Sequence, residues 1–169
     1  MGVTVRCARP EDAEALARSW LEGARELIDV SPVRFRLPDT DGLVEFFQSD
    51  LESASGPDVL SLVAELNDEF VGSLEARLIP PIESGRFQVL DHLSRPRVYV
   101  DHLRVDTPFR RRGVATALMA AAERWGFERG ASSIALDTYA ESPLSLPFYE
   151  AAGYERTSIV FEKRLNRSS

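Results

Sequence analysis

Arg110, Arg111 and Arg112 stand directly before Gly113, and Val114, Leu118, Ala121, Ala122 and Trp125 then recur at helical spacing. Three cations and a glycine at a helix start suit the holding of an anion. Amides at Gly113, Val114 and Ala115 have no carbonyl partner within such a helix, and the positive end of its dipole adds to the arginine charge. Small residues at 113 and 115 let a ligand approach the backbone. The run Val98-Tyr-Val-Asp-His-Leu-Arg-Val105 ahead of them reads as an apolar strand that Pro108 stops. Arginines before a helix are often only solvated, so this cluster gains meaning from its company. A Walker-type loop is excluded, because Gly113 is followed by Val-Ala-Thr116 in place of Lys-Ser or Lys-Thr, and no dinucleotide fingerprint is present.

The whole chain bounds the ligand further. With 169 residues, 44% of them hydrophobic, it has material for one sizeable core, and residues 1–169 read as a single domain. No apolar run approaches the roughly 20 residues that cross a bilayer, and Met1-Gly-Val-Thr-Val-Arg-Cys7 has no leader pattern, which predicts a cytoplasmic protein with no membrane partner. Cys7 has no second cysteine to pair with, and two distant histidines give no metal-ligand spacing, so no metal is expected. A formal charge of -7 speaks against nucleic acid and suits a cationic or amine substrate.

The elements that position these residues follow from pattern. Val3 to Ala8 alternates as a short strand, and Pro10 with Glu11 and Asp12 starts a helix carrying Ala13, Leu16, Ala17, Trp20, Ala24 and Leu27. Leu43, Phe46, Phe47 and Leu51 form the apolar side of a second helix, with Asp39, Thr40 and Asp41 as caps; this pair is expected to wall the acceptor site. Val59–Leu66 and Phe70–Ile79 read as a hairpin, and the irregular stretch from Pro80 to Pro96 as a lid or substrate loop. After the arginine turn, the long helix stops at Gly130, Ser132–Tyr139 is a strand, a short helix ends near Gly153, and Tyr154–Leu165 is a final strand. The order β, α, α, β, β, β, α, β, α, β predicts an α/β (α+β) domain with a mixed sheet and helices on its faces.

This order, with Arg110-Arg-Arg-Gly113-Val-Ala115 after the fourth strand, resembles the GNAT superfamily of acetyl-CoA-dependent N-acetyltransferases, whose signature there is Gln/Arg-x-x-Gly-x-Gly/Ala. Phe148-Tyr-Glu-Ala-Ala-Gly-Tyr154 matches a second family pattern downstream, with Ser142 and Ser145 standing where Asn and Ala are usual. The resemblance implies a mostly antiparallel sheet splayed between strands 4 and 5, with acetyl-CoA as co-substrate in the opening. It assigns the pantetheine arm to backbone groups of Leu103, Arg104 and Val105, and the pyrophosphate to the turn at Arg110 and the amides of Arg111, Arg112, Gly113, Val114, Ala115 and Thr116. Ser142 and Ser145 are carried over as cofactor contacts. Pro147 would clash in a helix begun at Ser142, so a later start, capped by Ser145, is expected. A homodimer is frequent in the family.

Acetyl transfer to an amine needs a neutral amine, a stabilised oxyanion and a proton for the thiolate. A backbone N–H near Leu103 is the candidate oxyanion donor, a contribution of roughly 3 kcal/mol to the transition state. Tyr149, a phenol with a usual pKa of about 10, is the candidate acid, against a reading as a packing partner of Phe148. Glu75 and Asp101 are the candidate bases: Glu75 interrupts an apolar strand, and Asp101 lies two residues before Leu103, hence on its face by simple alternation. The same alternation sends His102 to the opposite face. Each carboxylate reads equally as a solvated residue paired with Arg77 or Arg104. His92 reads as a surface residue, and Trp20 and Trp125 as core. The resulting expectation is acetyl transfer to the primary amine of a small molecule or peptide, with a non-catalytic acyl-CoA sensor as the alternative.

Overall fold

The computed structural model describes residues 2–53, 56–140 and 142–163. Two compact units divide the chain, residues 1–137 and 138–169. The first holds β1 (Thr4–Cys7), α1 (Ala13–Val30), α2 (Leu43–Ser53), β2 (Val59–Leu66), β3 (Glu69–Ile79), β4 (Arg97–Val105), α3 (Val114–Glu128) and β5 (Ile134–Leu136). The sheet runs β1-β2-β3-β4-β5; its first four strands are antiparallel neighbours, and β5 lies parallel to β4.

Local chemistry sets these elements in place. Asn67 and Asp68 both take left-handed backbone, φ 51° and 63°, which closes the β2–β3 hairpin in the twist its strands require. At the entry to α1, the Asp12 carboxylate accepts the Arg9 N–H at 2.8 Å and both terminal nitrogens of Arg6. Arg6 also donates to Glu65 on β2 at 2.6 Å, so one guanidinium ties β1, β2 and the helix start. The segment from Pro80 to Pro96 is folded on itself by two single 3-10 turns and by Ile82 N–H donating to the Leu93 carbonyl.

Helices cover both faces of the sheet. Ala13, Leu16 and Ala17 of α1 and Phe47 of α2 pack with Val63 of β2. On the other face, α3 buries Val114, Leu118, Met119, Ala122 and Trp125. Trp20 departs from the core expectation: it is 41% exposed, its ring edge-on to Phe47 and tilted over His102. Leu27 and Val30, farther along α1, are exposed as well.

A β-bulge in β4 overturns a second expectation. Glu75 pairs with His102 and Ala76 with Val100, so Asp101 is an extra residue with no partner on β3. Simple alternation fails across such a residue. Leu103 pairs with Leu74 and shares its face, whereas Asp101 reaches Arg77 on the face of α1 and α2. His102 lies on that same face, against Trp20. Asp101 and Leu103 thus diverge, and Asp101 and His102 come together.

In the second unit, α4 spans Ser145–Ala151. Its start is late, as Pro147 requires, but the cap comes from Ser142, whose Oγ accepts the Ser145 N–H at 3.3 Å and also bonds the Ser145 hydroxyl. Pro147 then falls in the first turn, where a missing N–H costs nothing. The expected last strand is not formed over residues 154–163, and residues 164 and 165 lie outside the described residues. Ile159, Val160 and Phe161 are over 80% exposed. Strand composition alone does not make a strand without a neighbour to pair with.

Close approach of α3 to β4 depends on Gly126, where an added methyl group would overlap Cγ2 of the buried Val98. Gly126→Ala should therefore destabilise the protein by about 1–3 kcal/mol, although alanine is the better helix former by about 1 kcal/mol. Urea denaturation checks this; a midpoint at or above that of the wild type would refute it.

Candidate active site

Two features of the first unit carry chemistry, and β4 leads from one to the other. Along its first half β4 is paired with β5 at Val98, Tyr99 and Val100; from Asp101 onward it has no β5 partner among the described residues. That open edge is where the fourth and fifth strands part. Its residues include Leu103, Arg104 and Val105, whose backbone the family resemblance assigns to the pantetheine arm.

Beyond β4 the chain turns through Thr107–Phe109 into α3. Arg111 has φ 63° and Gly113 φ 81°, so the backbone turns left-handed twice immediately before the helix. Such turns gather N–H groups into a concave cradle. No side chain caps the α3 N-terminus and no acidic residue stands in its first turn. The amides of Val114, Ala115 and Thr116 are therefore free of a side-chain partner, and the local charge favours an anion. A pyrophosphate fits this arrangement. Arg112 rests against Phe109, and Arg110 is turned back toward α1.

The second feature is an acidic cavity of about 330 Å³ lined by Asp50 and Ser53 of α2, Ser61 of β2, Glu75 and Arg77 of β3, and Asp101 of β4. Strand register explains the convergence: Ser61 pairs with Glu75, Val59 with Arg77 and Arg77 with Tyr99, so these side chains share the α1/α2 face. The bulge adds Asp101 to them. Arg77 holds Asp101 at 3.0 Å and lies over the Tyr99 ring, and the Tyr99 hydroxyl donates to Asp137 at 2.5 Å.

These surroundings shift proton affinities in a consistent way. Burial raises the Glu75 carboxyl above its usual range, and the charges of Asp50 and Asp101 add to it. Burial also raises Asp101, against the opposing charge of Arg77. His102 is lowered to about 4 by burial and then by Arg104, so it stays neutral beside Trp20. Tyr99 is raised to about 12, first by burial and then by its bond to Asp137.

Of the residues singled out from sequence, Glu75 and Asp101 are brought into one cavity. Tyr149 belongs to the second unit, where its ring lies edge-on to Phe148 and Tyr154 and burial raises its phenol to about 12. Ser142 and Ser145 are engaged with one another at the start of α4. Sequence reasoning missed Asp50 and Tyr99, whereas Arg77 pairs with Asp101 as the alternative reading of that carboxylate had it. Asp50 had a readable signal: it follows Phe47 by three residues, so an acid sits on the apolar stripe of α2.

Comparison with known proteins places this geometry in context. The model of the "Acetyltransferase (GNAT) family" matches residues 21–154. An aminoglycoside N(6')-acetyltransferase type 1 from Stenotrophomonas maltophilia is 28% identical over 163 residues, 96% of this chain and 92% of that protein. Another from Salmonella typhimurium is 40% identical over 73 residues, 42% of this chain, and the match spans only about half (50%) of that relative's length. Among solved structures, a mutant form of a Bacillus halodurans protein superimposes with a TM-score of 0.82 at 21% identity, covering 96% of this chain and 99% of that one. The mixed sheet with parallel β4 and β5 is thus a GNAT fold, and the chain belongs to the acetyltransferase (GNAT) family.

Proposed function

We propose that this chain transfers the acetyl group of acetyl-CoA to a primary amine of a polycationic small molecule of the aminoglycoside class. The observation that carries the acceptor class is the cavity in which Asp50, Glu75 and Asp101 converge around a single arginine. Such a wall attracts a molecule bearing several ammonium groups. Relatives bearing the aminoglycoside N(6')-acetyltransferase name support this reading. The compartment it implies is the cytoplasm, and it leaves no role for nucleic acid.

Acetyl-CoA supplies the activated acyl group when bound. The amides from Arg111 to Thr116 hold its pyrophosphate, Arg111 and Arg112 balance the charge, and backbone groups from Leu103 to Val105 align the arm along the open edge of β4. Glu75 and Asp101 receive the proton that an ammonium must lose before it attacks, directly or through water; their raised affinity for protons suits them to that task. In the transfer the amine nitrogen bonds the acetyl carbon, the carbon–sulfur bond breaks, and the proton that the acylated nitrogen sheds passes through water to the thiolate. Tyr149, raised to about 12, stays protonated, and we assign it the role of donor to the departing sulfur. Its affinity for the proton exceeds the roughly 8.5 of an ordinary thiol, so donation of a hydrogen bond is its larger contribution.

Acetyl-CoA at a hundredfold excess over its Kd should stabilise the protein by about 2.7 kcal/mol, read as a thermal shift. CoA release assayed over a panel of aminoglycosides and monoamines should show preference for the polycations; a preference for monoamines would refute the acceptor class. Glu75→Gln should lower kcat/KM by about 10²-fold or more, and Tyr149→Phe should lower kcat, each within the range of acid–base catalysis. Turnover unchanged in Tyr149→Phe would remove that residue from the mechanism.

The pH profile supplies a separate check. A base works ionised, and a raised folded pKa means that ionisation is lost at higher pH as the solution is acidified. Activity should therefore fall on the acid side above the roughly 4.3 of a free glutamate. In Glu75→Gln that limb should move; an acid limb identical to that of the wild type would exclude Glu75 as the base.

A further inference from the structure

Glu26 reaches from α1 to the turn that follows β4. Its Oε1 accepts from the Thr107 hydroxyl at 2.5 Å, and its Oε2 accepts from Arg110 Nη2 at 2.6 Å and Arg104 Nη1 at 3.2 Å. Arg110 donates its Nε to the Val105 carbonyl at 3.1 Å. Behind this, Arg104 Nε donates to Ser19 Oγ at 3.0 Å, and the Ser19 hydroxyl donates to Asp106 at 2.5 Å. Ser19, Arg104 and Asp106 are all buried.

The three donors to Glu26 bracket the turn: Arg104 lies near the end of β4, Thr107 opens the turn, and Arg110 stands just before the left-handed residues of the cradle. One carboxylate thereby fixes both ends of the segment that presents the α3 amides. Arg110, the first arginine of the run, has its Nε and Nη2 committed to Val105 and Glu26. Glu26 is one of three carboxylates, with Asp106 and Glu22, that face the buried Arg104. Preorganised amides bind an anion more tightly than amides that must be ordered on binding.

We propose that Glu26 is a positioning residue of the donor site, which holds the turn from Asp106 to Gly113 in its pyrophosphate-binding shape through Arg110, and that Arg110 acts as a strut and takes no phosphate. This rests on the acetyl-CoA reading above. It makes α1, a helix expected only to wall the acceptor, part of the machinery for the donor.

The test uses the full chain with Glu26→Gln, Arg110→Gln and the double variant, with acetyl-CoA affinity by calorimetry and both KM values and kcat by CoA release. Each single variant should raise the acetyl-CoA KM and Kd about tenfold, with kcat and the acceptor KM within about twofold, since displaced binding groups act on the ligand they position. The double variant should be no worse than the poorer single one. Unchanged or tighter acetyl-CoA binding by Glu26→Gln, or additive losses in the double variant, would overturn the proposal, the latter by making Arg110 a direct phosphate ligand. Should Glu26→Gln lose its helical circular dichroism, Thr107→Val leaves every charge in place and should show the same split at about threefold; no change there overturns the proposal equally. A wild type without affinity for acetyl-CoA would refute the underlying reading and this one together, whereas wild-type affinity with an unaffected Glu26→Gln refutes this one alone.

Discussion

One extra residue in β4 governs the candidate site. Without the bulge at Asp101, strict alternation would turn either Asp101 or His102 away from the α1/α2 face, and the acid cluster with Glu75 would lose a member. With it, the strand presents an acid to the cavity and a neutral imidazole to Trp20 in consecutive positions. Bulges also bend a strand and increase its twist. Pairing with β5 stops immediately before the bulge, at Val100, so the change in face and the parting of the strands coincide. The open edge of β4 and the acidic cavity thus meet at one backbone irregularity.

The fold was largely legible because most of its elements rest on local rules. Helical periodicity located α1, α2 and α3 to within a few residues, and the Asn67-Asp68 turn marked the hairpin. The arginine turn was legible as an anion cradle for the same reason: helix ends leave amides unpaired wherever they occur. What escaped depended on partners distant in sequence. The bulge is visible only when β3 lies beside β4, since nothing in Val100-Asp101-His102 distinguishes a bulged residue from a paired one. Glu26 and Arg110 are 84 residues apart, and neither residue type announces the other. The final strand failed in the opposite sense, since its composition is that of a strand while residues 154–163 have no strand to pair with.

Charge is divided along the first unit in a way that composition alone conceals. A net charge of -7 describes neither feature: the turn before α3 is basic, and the cavity against α2 is acidic. Phosphate and ammonium groups are therefore attracted to different places on one small sheet. The supporting ion pairs differ in kind as well. Arg104 and Asp106 are both buried, so breaking that pair exposes charge to a poorly solvated interior, whereas the Arg77–Asp101 pair is half exposed and contributes little to stability. The former is suited to holding structure and the latter to yielding to an incoming cation.

An aromatic residue left half out of the core gives the molecule a further property. Of the two tryptophans, Trp125 of α3 is buried, while Trp20 lies over His102 at the rim of the acidic face. Because the imidazole beneath it stays neutral across the ordinary working range, the emission of Trp20 is spared the quenching that a protonated histidine would impose. The protein thus carries an intrinsic optical reporter on the α1 side of its sheet, with the second indole as a shielded internal reference.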